Sequence, residues 1–118
     1  MIVIRNITFS IINAANMVPF YNAVLGAGLE PIQGMEGFFR GKLGQLSLLM
    51  CPVAVSGVEA KQNRQQLGFV VPNLQHAIDA GLANGGRLIG DDFEENEFER
   101  KGYLYDPDGN SLELIQLK

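Results

Sequence analysis

The sequence predicts an α+β fold built from two tandem βαβββ modules. Two observations favour this class: an order of strand-like and helix-like segments that occurs twice, and a faint internal repeat that spans the chain. A length of 118 residues with 47% hydrophobic content is enough for one core and leaves little room for a second independent domain. We therefore expect a single domain over residues 1–118, with modules at about 1–52 and 64–118 and a linker at 53–63.

The first module begins with a strand and a helix. Residues 3–12 are rich in β-branched side chains with polar ones between them, which is typical of a half-buried strand. Asn13 or Asn16 is a suitable N-cap for the helix that follows, and Gly26 and Gly28 are suitable residues to end it. Glycines then separate three short predicted strands, at residues 29–33, 37–42 and 45–50.

The second module repeats this order. It contains a predicted strand at 65–71, a helix at 74–84, and strands at 87–89, 102–105 and 111–117. Phe9 matches Phe69 at an offset of 60 (69 − 9 = 60), and Gly44 matches Gly109 at an offset of 65 (109 − 44 = 65). The two modules are therefore expected to share one architecture.

Two further features of the second module involve ionisable side chains. The acidic segment 91–100 predicts a solvated loop, in which Phe93 and Phe98 are expected to cover a cleft or a partner subunit. His76, the only histidine, lies on the outer side of the predicted helix. The pattern therefore gives no support to a Ser-His-Asp or Cys-His arrangement for nucleophilic catalysis.

Charge and composition exclude several partners. The formal net charge is −4, and the nine Lys and Arg residues are scattered, so we expect neither nucleic acid nor an anionic membrane as partner. Arg5 interrupts the N-terminal apolar run, which is too short for a membrane span and lacks a signal-peptide cleavage pattern. Cys51 is a single cysteine and is expected to be a small buried hydrophobe. A cytoplasmic location is the expectation.

Glu113 is a carboxylate in the middle of an otherwise apolar strand. Side chains alternate across a strand, so Leu112 and Leu114 face one way and Glu113 faces the other. In a βαβββ unit the helix covers one face of the sheet, and the leucines belong on that face. Glu113 is therefore expected on the concave face that carries no helix.

The internal repeat predicts which residues share this face with Glu113. An offset of 60 places Asn6 opposite Gln66, and an offset of 65 places Leu48 opposite Glu113 (113 − 65 = 48). These four positions are expected to converge on one cleft. The full set of predicted ligand-binding residues is Asn6, Thr8, Leu48, Met50, Gln66 and Glu113.

Two segments carry a resemblance to a known family. "NITFSIINAANMVPFYNAVLG" and "YDPDGNSLEL" resemble the opening strand and helix and the closing hairpin of the glyoxalase/bleomycin-resistance/dioxygenase superfamily, also called vicinal oxygen chelate proteins. The resemblance covers essentially all 118 residues. It implies paired βαβββ modules around a half-open barrel. It also implies a homodimer in which two chains complete two clefts.

The resemblance further implies where a divalent metal would bind. Metal-dependent relatives place His, Glu or Gln at the four converging positions, because imidazole and carboxylate groups are strong donors. Leu48 has no donor atom and Asn6 is a poor ligand, which leaves Gln66 and Glu113 as weak candidates. We therefore expect no metal cofactor, although a hard ion such as Mg²⁺, held mainly by substrate and water, stays open as an alternative.

The sequence as a whole favours a small-molecule-binding protein that works by metal-independent binding or sequestration. No catalytic residue is assigned, while Arg40 and Lys101 are candidates to meet an anionic ligand at the rim. One alternative is a divalent-metal-dependent lyase, isomerase or dioxygenase of the same superfamily. A second alternative is a protein-interaction module on the same scaffold, since a fold does not fix a function.

Overall fold

The βαβββ order is present twice in a computed structural model that describes residues 1–58 and 60–118. Residue 59, which lies within the predicted linker, is outside the described residues. The elements are β1 (Asn6–Ile11), α1 (Ala14–Leu25), β2 (Glu30–Pro31), β3 (Phe39–Leu43), β4 (Leu46–Pro52), α2 (Val53–Ser56), β5 (Leu67–Val70), α3 (Leu74–Ala83), β6 (Arg87–Glu95), β7 (Glu99–Tyr105) and β8 (Ser111–Leu117). The predicted α+β class with two tandem modules is confirmed.

Each module forms a four-stranded sheet. The first sheet has the strand order β1-β4-β3-β2, and the second has the equivalent order β5-β8-β7-β6. In both sheets the first strand of the module pairs in parallel with the last, and the other pairs are antiparallel. The edge strands are therefore β1 and β2 in the first sheet and β5 and β6 in the second.

Asparagine caps start the two long helices. The side chain of Asn13 accepts a hydrogen bond from the Asn16 amide at 3.3 Å and begins α1. The side chain of Asn73 does the same for the His76 amide at 2.9 Å and begins α3. Gly26 ends α1 in the left-handed conformation, with φ of 61°, which a residue with a Cβ adopts at a cost. The predicted capping chemistry is confirmed for Asn13 and Gly26.

The two modules share one hydrophobic core. Helices α1 and α3 contact each other, and their buried faces pack with the covered faces of both sheets. The close approach of the helices needs a glycine, because a Cβ at Gly81 would lie 2.5 Å from Leu104 and 3.3 Å from Phe20. The core therefore joins the modules and does not belong to either alone.

A buried carboxylate connects the modules through a hydrogen bond. The Tyr21 hydroxyl of α1 donates to Asp106 Oδ2 at 2.7 Å, and Asp106 is only 3% exposed. Asp106 Oδ1 also accepts hydrogen bonds from the amides of Asp108 and Asn110, each at 3.0 Å. Burial raises the pKa of Asp106, with hydrogen bonds from Tyr21 and Asn110 acting against it. Burial and the nearby Asp106 charge also raise the pKa of Tyr21 well above its ordinary value.

Asp108 makes a second connection from the same turn. Its carboxylate accepts hydrogen bonds from the Ile12 amide at 2.8 Å and the Asn13 amide at 3.1 Å, where β1 passes into α1. The turn between β7 and β8 is therefore held against the first module at two points.

The predicted solvated loop at residues 91–100 is wrong. Most of these residues belong to the β6–β7 hairpin, with Arg100 and Glu95 paired across it at 3.1 Å. The Phe93 ring packs over Gly102, where an added Cβ would be 3.2 Å away, and it joins the edge of the core. Phe98 is 71% exposed near the hairpin tip. Cross-strand ion pairs and one partly buried aromatic ring explain why such an acidic segment pairs as strands.

The predicted burial of Cys51 and the predicted exposure of His76 are both confirmed. Cys51 is a buried free thiol on β4, and His76 is exposed on α3. Among the described residues, no helix is both long enough and apolar enough to cross a membrane.

The Tyr21→Phe substitution tests the connection between the modules. It removes the hydroxyl that donates to the buried Asp106 carboxylate, so we expect the free energy of unfolding to fall by about 1–3 kcal/mol. Chemical denaturation measures this change. Tyr105→Phe is the matched control, because Tyr105 is half-buried at the end of β7 and its change should stay within about 0.5 kcal/mol. Equal effects of the two substitutions would contradict the assigned role of Tyr21.

Candidate functional site

Glu113 lies on the face of the second sheet that the helices leave uncovered. Its neighbours Leu112 and Leu114 are 2% and 0% exposed and pack in the core, so strand alternation directs Glu113 to the opposite side. The Glu113 side chain is 23% exposed. It is therefore a partly buried carboxylate that a ligand can still reach.

The neighbouring strands position the Glu113 carboxylate. On the β5 side, Gly68 pairs with Glu113, and a Cβ at Gly68 would lie 2.8 Å from Glu113 Oε1. On the β7 side, Tyr103 pairs with Glu113, and Lys101 Nζ lies 3.9 Å from Glu113 Oε2. The carboxylate thus occupies space that the absent side chain of Gly68 leaves free.

The same carboxylate affects the pKa of the Tyr103 hydroxyl. Partial burial, hydrogen bonding to Glu113 and the Glu113 charge together raise the pKa of Tyr103. The hydroxyl also lies 3.5 Å from Glu94 Oε2. Tyr103 therefore adds a hydroxyl donor and an aromatic ring to the uncovered face beside Glu113.

Lys101 is surrounded by acidic groups of its own chain. Besides its contact with Glu113, its ammonium lies 3.7 Å from Glu99 Oε1 and 3.9 Å from Glu94 Oε2. The Lys101 side chain is 28% exposed. The sequence placed Lys101 at a rim where it would meet an anionic ligand, whereas the structure gives it three carboxylate neighbours. Neither Lys101 nor Tyr103 was predicted beside Glu113, because their proximity depends on the β7–β8 register.

Leu48 and Met50 do not lie on the uncovered face, so their predicted place in the cleft is corrected. The parallel register pairs Ile7 with Leu48 and Phe9 with Met50, and paired residues point to the same side of a sheet. Leu48 and Met50 are both 0% exposed in the core. They pack under the helices.

Leu48 and Met50 were misplaced because the internal repeat was aligned with the wrong offset. Ile7 pairs with Leu48 and Leu67 pairs with Leu112, so the last strands align at an offset of 64 (112 − 48 = 64) and not at 65. A shift of one residue moves every side chain to the other face. The position equivalent to Glu113 is therefore Leu49, which has no donor atom either. The glycines at the two turns gave the wrong offset because the turns differ in length, 44–45 in one module and 106–110 in the other.

Asn6, Thr8 and Gln66 are all exposed. Asn6 and Thr8 lie on β1 in the first sheet, and Gln66 immediately precedes β5 in the second. Within residues 1–58 and 60–118, no hydrogen bond or ion pair joins any of the three to Glu113. Their convergence on one cleft stays a prediction.

An apolar groove lies at the edge of β5, and Gly68 is the residue that it shares with the surroundings of Glu113. It has a volume of ≈ 600 Å³ and runs between the end of α1, the β3–β4 turn and strand β5. Gly68 is one of its lining residues and is also the residue that the Glu113 carboxylate approaches. The other lining residues are mostly aliphatic or aromatic, among them Ile7, Val24, Leu25, Leu67, Phe69 and Val71. A second groove, of ≈ 680 Å³, lies at the far end of β1, where Ile12 and Lys61 are among the described residues that line it.

The donor set at Glu113 does not fit a divalent metal. In the described part of the chain, no group of three or more His, Cys, Asp or Glu residues is arranged to hold a metal ion. A tight site for a transition metal needs about three protein ligands. At Glu113 the nearest charged neighbour is the ammonium of Lys101, which is a cation.

Two paired βαβββ modules with one helix-free sheet face are features that can be compared with known protein families. A family model described as a glyoxalase-like domain matches residues 6–115. The chain belongs to this family, and the predicted membership of the glyoxalase/bleomycin-resistance/dioxygenase superfamily is confirmed. A search of curated proteins found no match.

Solved structures share the fold at low sequence identity. A glyoxalase-related enzyme from Fulvimarina pelagi has a TM-score of 0.78 and 17% identity, over 98% of this chain and 88% of that one. A glyoxalase/bleomycin resistance protein from Albidiferax ferrireducens T118 has a TM-score of 0.73 and 21% identity, over 95% and 96%. The fosfomycin resistance protein FosX from Listeria monocytogenes has a TM-score of 0.76 and 13% identity, over 98% and 91%.

The Gly68→Ala substitution tests how Glu113 is positioned. The new methyl group takes the space of Glu113 Oε1, and the carboxylate moves away because it is the end of a flexible side chain. We expect a shifted Glu113 carboxylate carbon signal in the NMR spectrum, with the free energy of unfolding changed by less than about 1 kcal/mol. Val70→Ala, on the same exposed face of β5, is the control and should leave that signal in place. An unmoved Glu113 signal in Gly68→Ala would contradict the role given to Gly68.

Proposed function

We propose that the protein binds a small, partly apolar molecule that carries a hydrogen-bond donor or a positive charge, and that binding or sequestration needs no metal. One observation carries the proposal: the Glu113 carboxylate lies against Gly68, which also lines the apolar groove. Small-molecule sites typically combine an apolar lining with a few well-placed polar groups. Glu113 is not itself a lining residue of the groove, so the ligand would hold its apolar part there and extend its polar end past Gly68, at the edge of β5, to Glu113.

The charges around Glu113 support this choice of ligand. Three carboxylates, of Glu94, Glu99 and Glu113, surround the single ammonium of Lys101, so the cluster is net negative. An anionic ligand is disfavoured there, while a donor or a cation is favoured. The Tyr103 ring offers an additional surface for a cation or a flat apolar group.

We also propose that two chains form a homodimer that completes the cleft. Strands β1 and β5 are open edges, and an open edge tends to pair with another chain. The apolar residues Met1–Ile4 precede β1 and are each at least 70% exposed. Val70 on β5 is also 62% exposed. If β1 of one copy adjoins β5 of the other, Asn6 and Thr8 approach Glu113 across the interface.

We further propose a cytoplasmic location, with no nucleic acid or membrane partner. The principal alternative is a metal-dependent lyase, isomerase or dioxygenase, and the donor set at Glu113 weighs against it. Elemental analysis of protein purified without chelator separates the two. One bound metal per chain, lost in Glu113→Gln, would favour the enzyme.

The ligand is sought by a thermal-shift screen of small molecules. A ligand of the proposed kind at about 100 times its Kd should stabilise the native protein by about 2.7 kcal/mol. The Glu113→Gln variant keeps the shape of the side chain but loses the charge, so we expect it to lose most of the shift. Glu97→Gln, at an exposed site in the β6–β7 turn, should behave like the native protein.

Two results would contradict ligand binding at Glu113. One is a hit that stabilises Glu113→Gln as much as the native protein. The other is a screen of apolar amines, amides and alcohols in which no compound raises the melting temperature.

The dimer is tested by measuring the mass in solution by light scattering. We expect the native chain to have twice the mass of one chain, and Ile4→Lys to reduce the dimer fraction, because burying an unpaired charge in an interface is costly. Phe98→Lys is the matched control, since Phe98 is similarly exposed but lies in the β6–β7 hairpin. A native chain that stays monomeric at high concentration would refute the dimer.

A further inference from the structure

The most unusual charged group on the uncovered face is Lys101. It lies on β7, where it pairs with Ile115, and it shares the face of Tyr103 and Glu113. Its ammonium reaches Glu113 Oε2 at 3.9 Å from the adjacent strand. The backbone register therefore fixes a positive charge beside the one carboxylate that the family resemblance marks as a possible metal ligand.

We infer that the Lys101 ammonium is the resident cation of this site and takes the place that a divalent metal would need beside Glu113. The inference rests on the proposed function, because it explains how the site works without a metal. It assigns Lys101 as the residue that excludes the ion. Glu113 is then left to accept hydrogen bonds from an organic ligand.

Two other carboxylates keep the ammonium in place. Glu99 Oε1 lies 3.7 Å and Glu94 Oε2 lies 3.9 Å from Lys101 Nζ. Glu99 is 28% exposed, as is Lys101, so this part of the cluster is screened less than a fully exposed pair. A competing ion would have to displace the ammonium from all three carboxylates.

Repulsion and competition both act against a divalent metal. A metal ion bound to Glu113 would lie within a few ångströms of the Lys101 ammonium, and two positive charges at about 4 Å repel each other strongly near a protein surface. The ammonium is also attached to the chain, whereas the metal ion must come from solution and lose water. The nearby carboxylates of Glu94 and Glu99 already lie 3.9 and 3.7 Å from the ammonium, and the described residues contain no group of three or more His, Cys, Asp or Glu side chains arranged to hold the ion.

The three carboxylates around Lys101 also determine how it would act on a ligand. Its positive charge is already matched by three carboxylates, so it is a poor partner for an anionic substrate. Its effect on an organic ligand is indirect, because its charge attracts the Glu113 carboxylate toward β7. Lys101 is thus a positioning residue.

The experiment measures Mn²⁺ binding by electron paramagnetic resonance, using full-length protein purified without a metal-affinity tag. The variants are K101M, K101R and the double variant K101M/E113Q. K101M keeps the aliphatic stem and removes the charge, and K101R keeps the charge. Thermal unfolding without metal confirms that each variant is folded, and K101Q replaces K101M if that variant is unstable.

We expect the native protein and K101R to show no Mn²⁺ binding that depends on Glu113. K101M should bind Mn²⁺ at least about tenfold more tightly than the native protein, since one repelling charge is gone. K101M/E113Q should lose that gain. A gain in K101M that disappears with E113Q is a result that a purely structural role of Lys101 would not produce.

Two outcomes overturn the inference: Mn²⁺ binding to the native protein that E113Q abolishes, or no gain in K101M. Neither depends on the ligand screen. If the screen finds no ligand but K101M gains the metal, the proposed function fails and the role of Lys101 stands. If a ligand binds at Glu113 but K101M gains nothing, the proposed function stands and Lys101 is not the excluding group.

Discussion

The hydrogen bond from Tyr21 to the buried Asp106 carboxylate is the interaction on which the rest of this structure depends. It joins α1 of the first module to the turn that begins β8 of the second. Burial raises the pKa of Asp106 above its ordinary value of 3.8. For an acid with a raised pKa, the favourable contribution to stability is complete below the ordinary value and is lost as the pH rises through the raised one. The hydrogen bonds to Asp106 therefore offset a cost of ionisation at neutral pH.

The same connection determines where Glu113 lies, because it fixes the register of β8. The turn fixes where β8 starts, and Leu112 and Leu114 then enter the core with almost no exposed surface. Because the side-chain period of a strand is two residues, Glu113 has to face the other way. The site therefore draws its geometry from the core and from the turn, and only its last contacts come from Gly68, Lys101 and Tyr103 on the neighbouring strands.

Most of the fold could be predicted from the sequence because it depends on local patterns. Caps at Asn13 and Asn73 and the alternation around Glu113 depend on residues only a few positions apart. Leu48 and Met50 were misplaced because their facing depends on the exact offset between two modules whose turns differ in length.

Partners brought together by sheet pairing are harder to predict than elements. Lys101 lies 12 residues from Glu113 in the chain (113 − 101 = 12) and meets it only through the antiparallel register of β7 and β8. The hairpin at 91–100 was not predicted because its many charged residues leave only one inward-facing aromatic residue, Phe93, to indicate a strand. Neither feature has a periodic signal in a single sequence, since each depends on which strands adjoin.

The closing hairpin carries two carboxylates whose environments give them different roles. Asp106 is 3% exposed, and its oxygens accept hydrogen bonds from Tyr21 and from the backbone of its own turn, so no lone pair is directed to solvent. Glu113 is 23% exposed, and its nearest cation is an ammonium at 3.9 Å, beyond the length of a good hydrogen bond. The acceptor capacity of Asp106 is therefore used by the fold, while Glu113, beside the Tyr103 hydroxyl, keeps part of its capacity for a donor that enters from the uncovered face. Because both groups lie on one hairpin, the interaction that stabilises the fold also holds in position the carboxylate that we propose as the ligand acceptor.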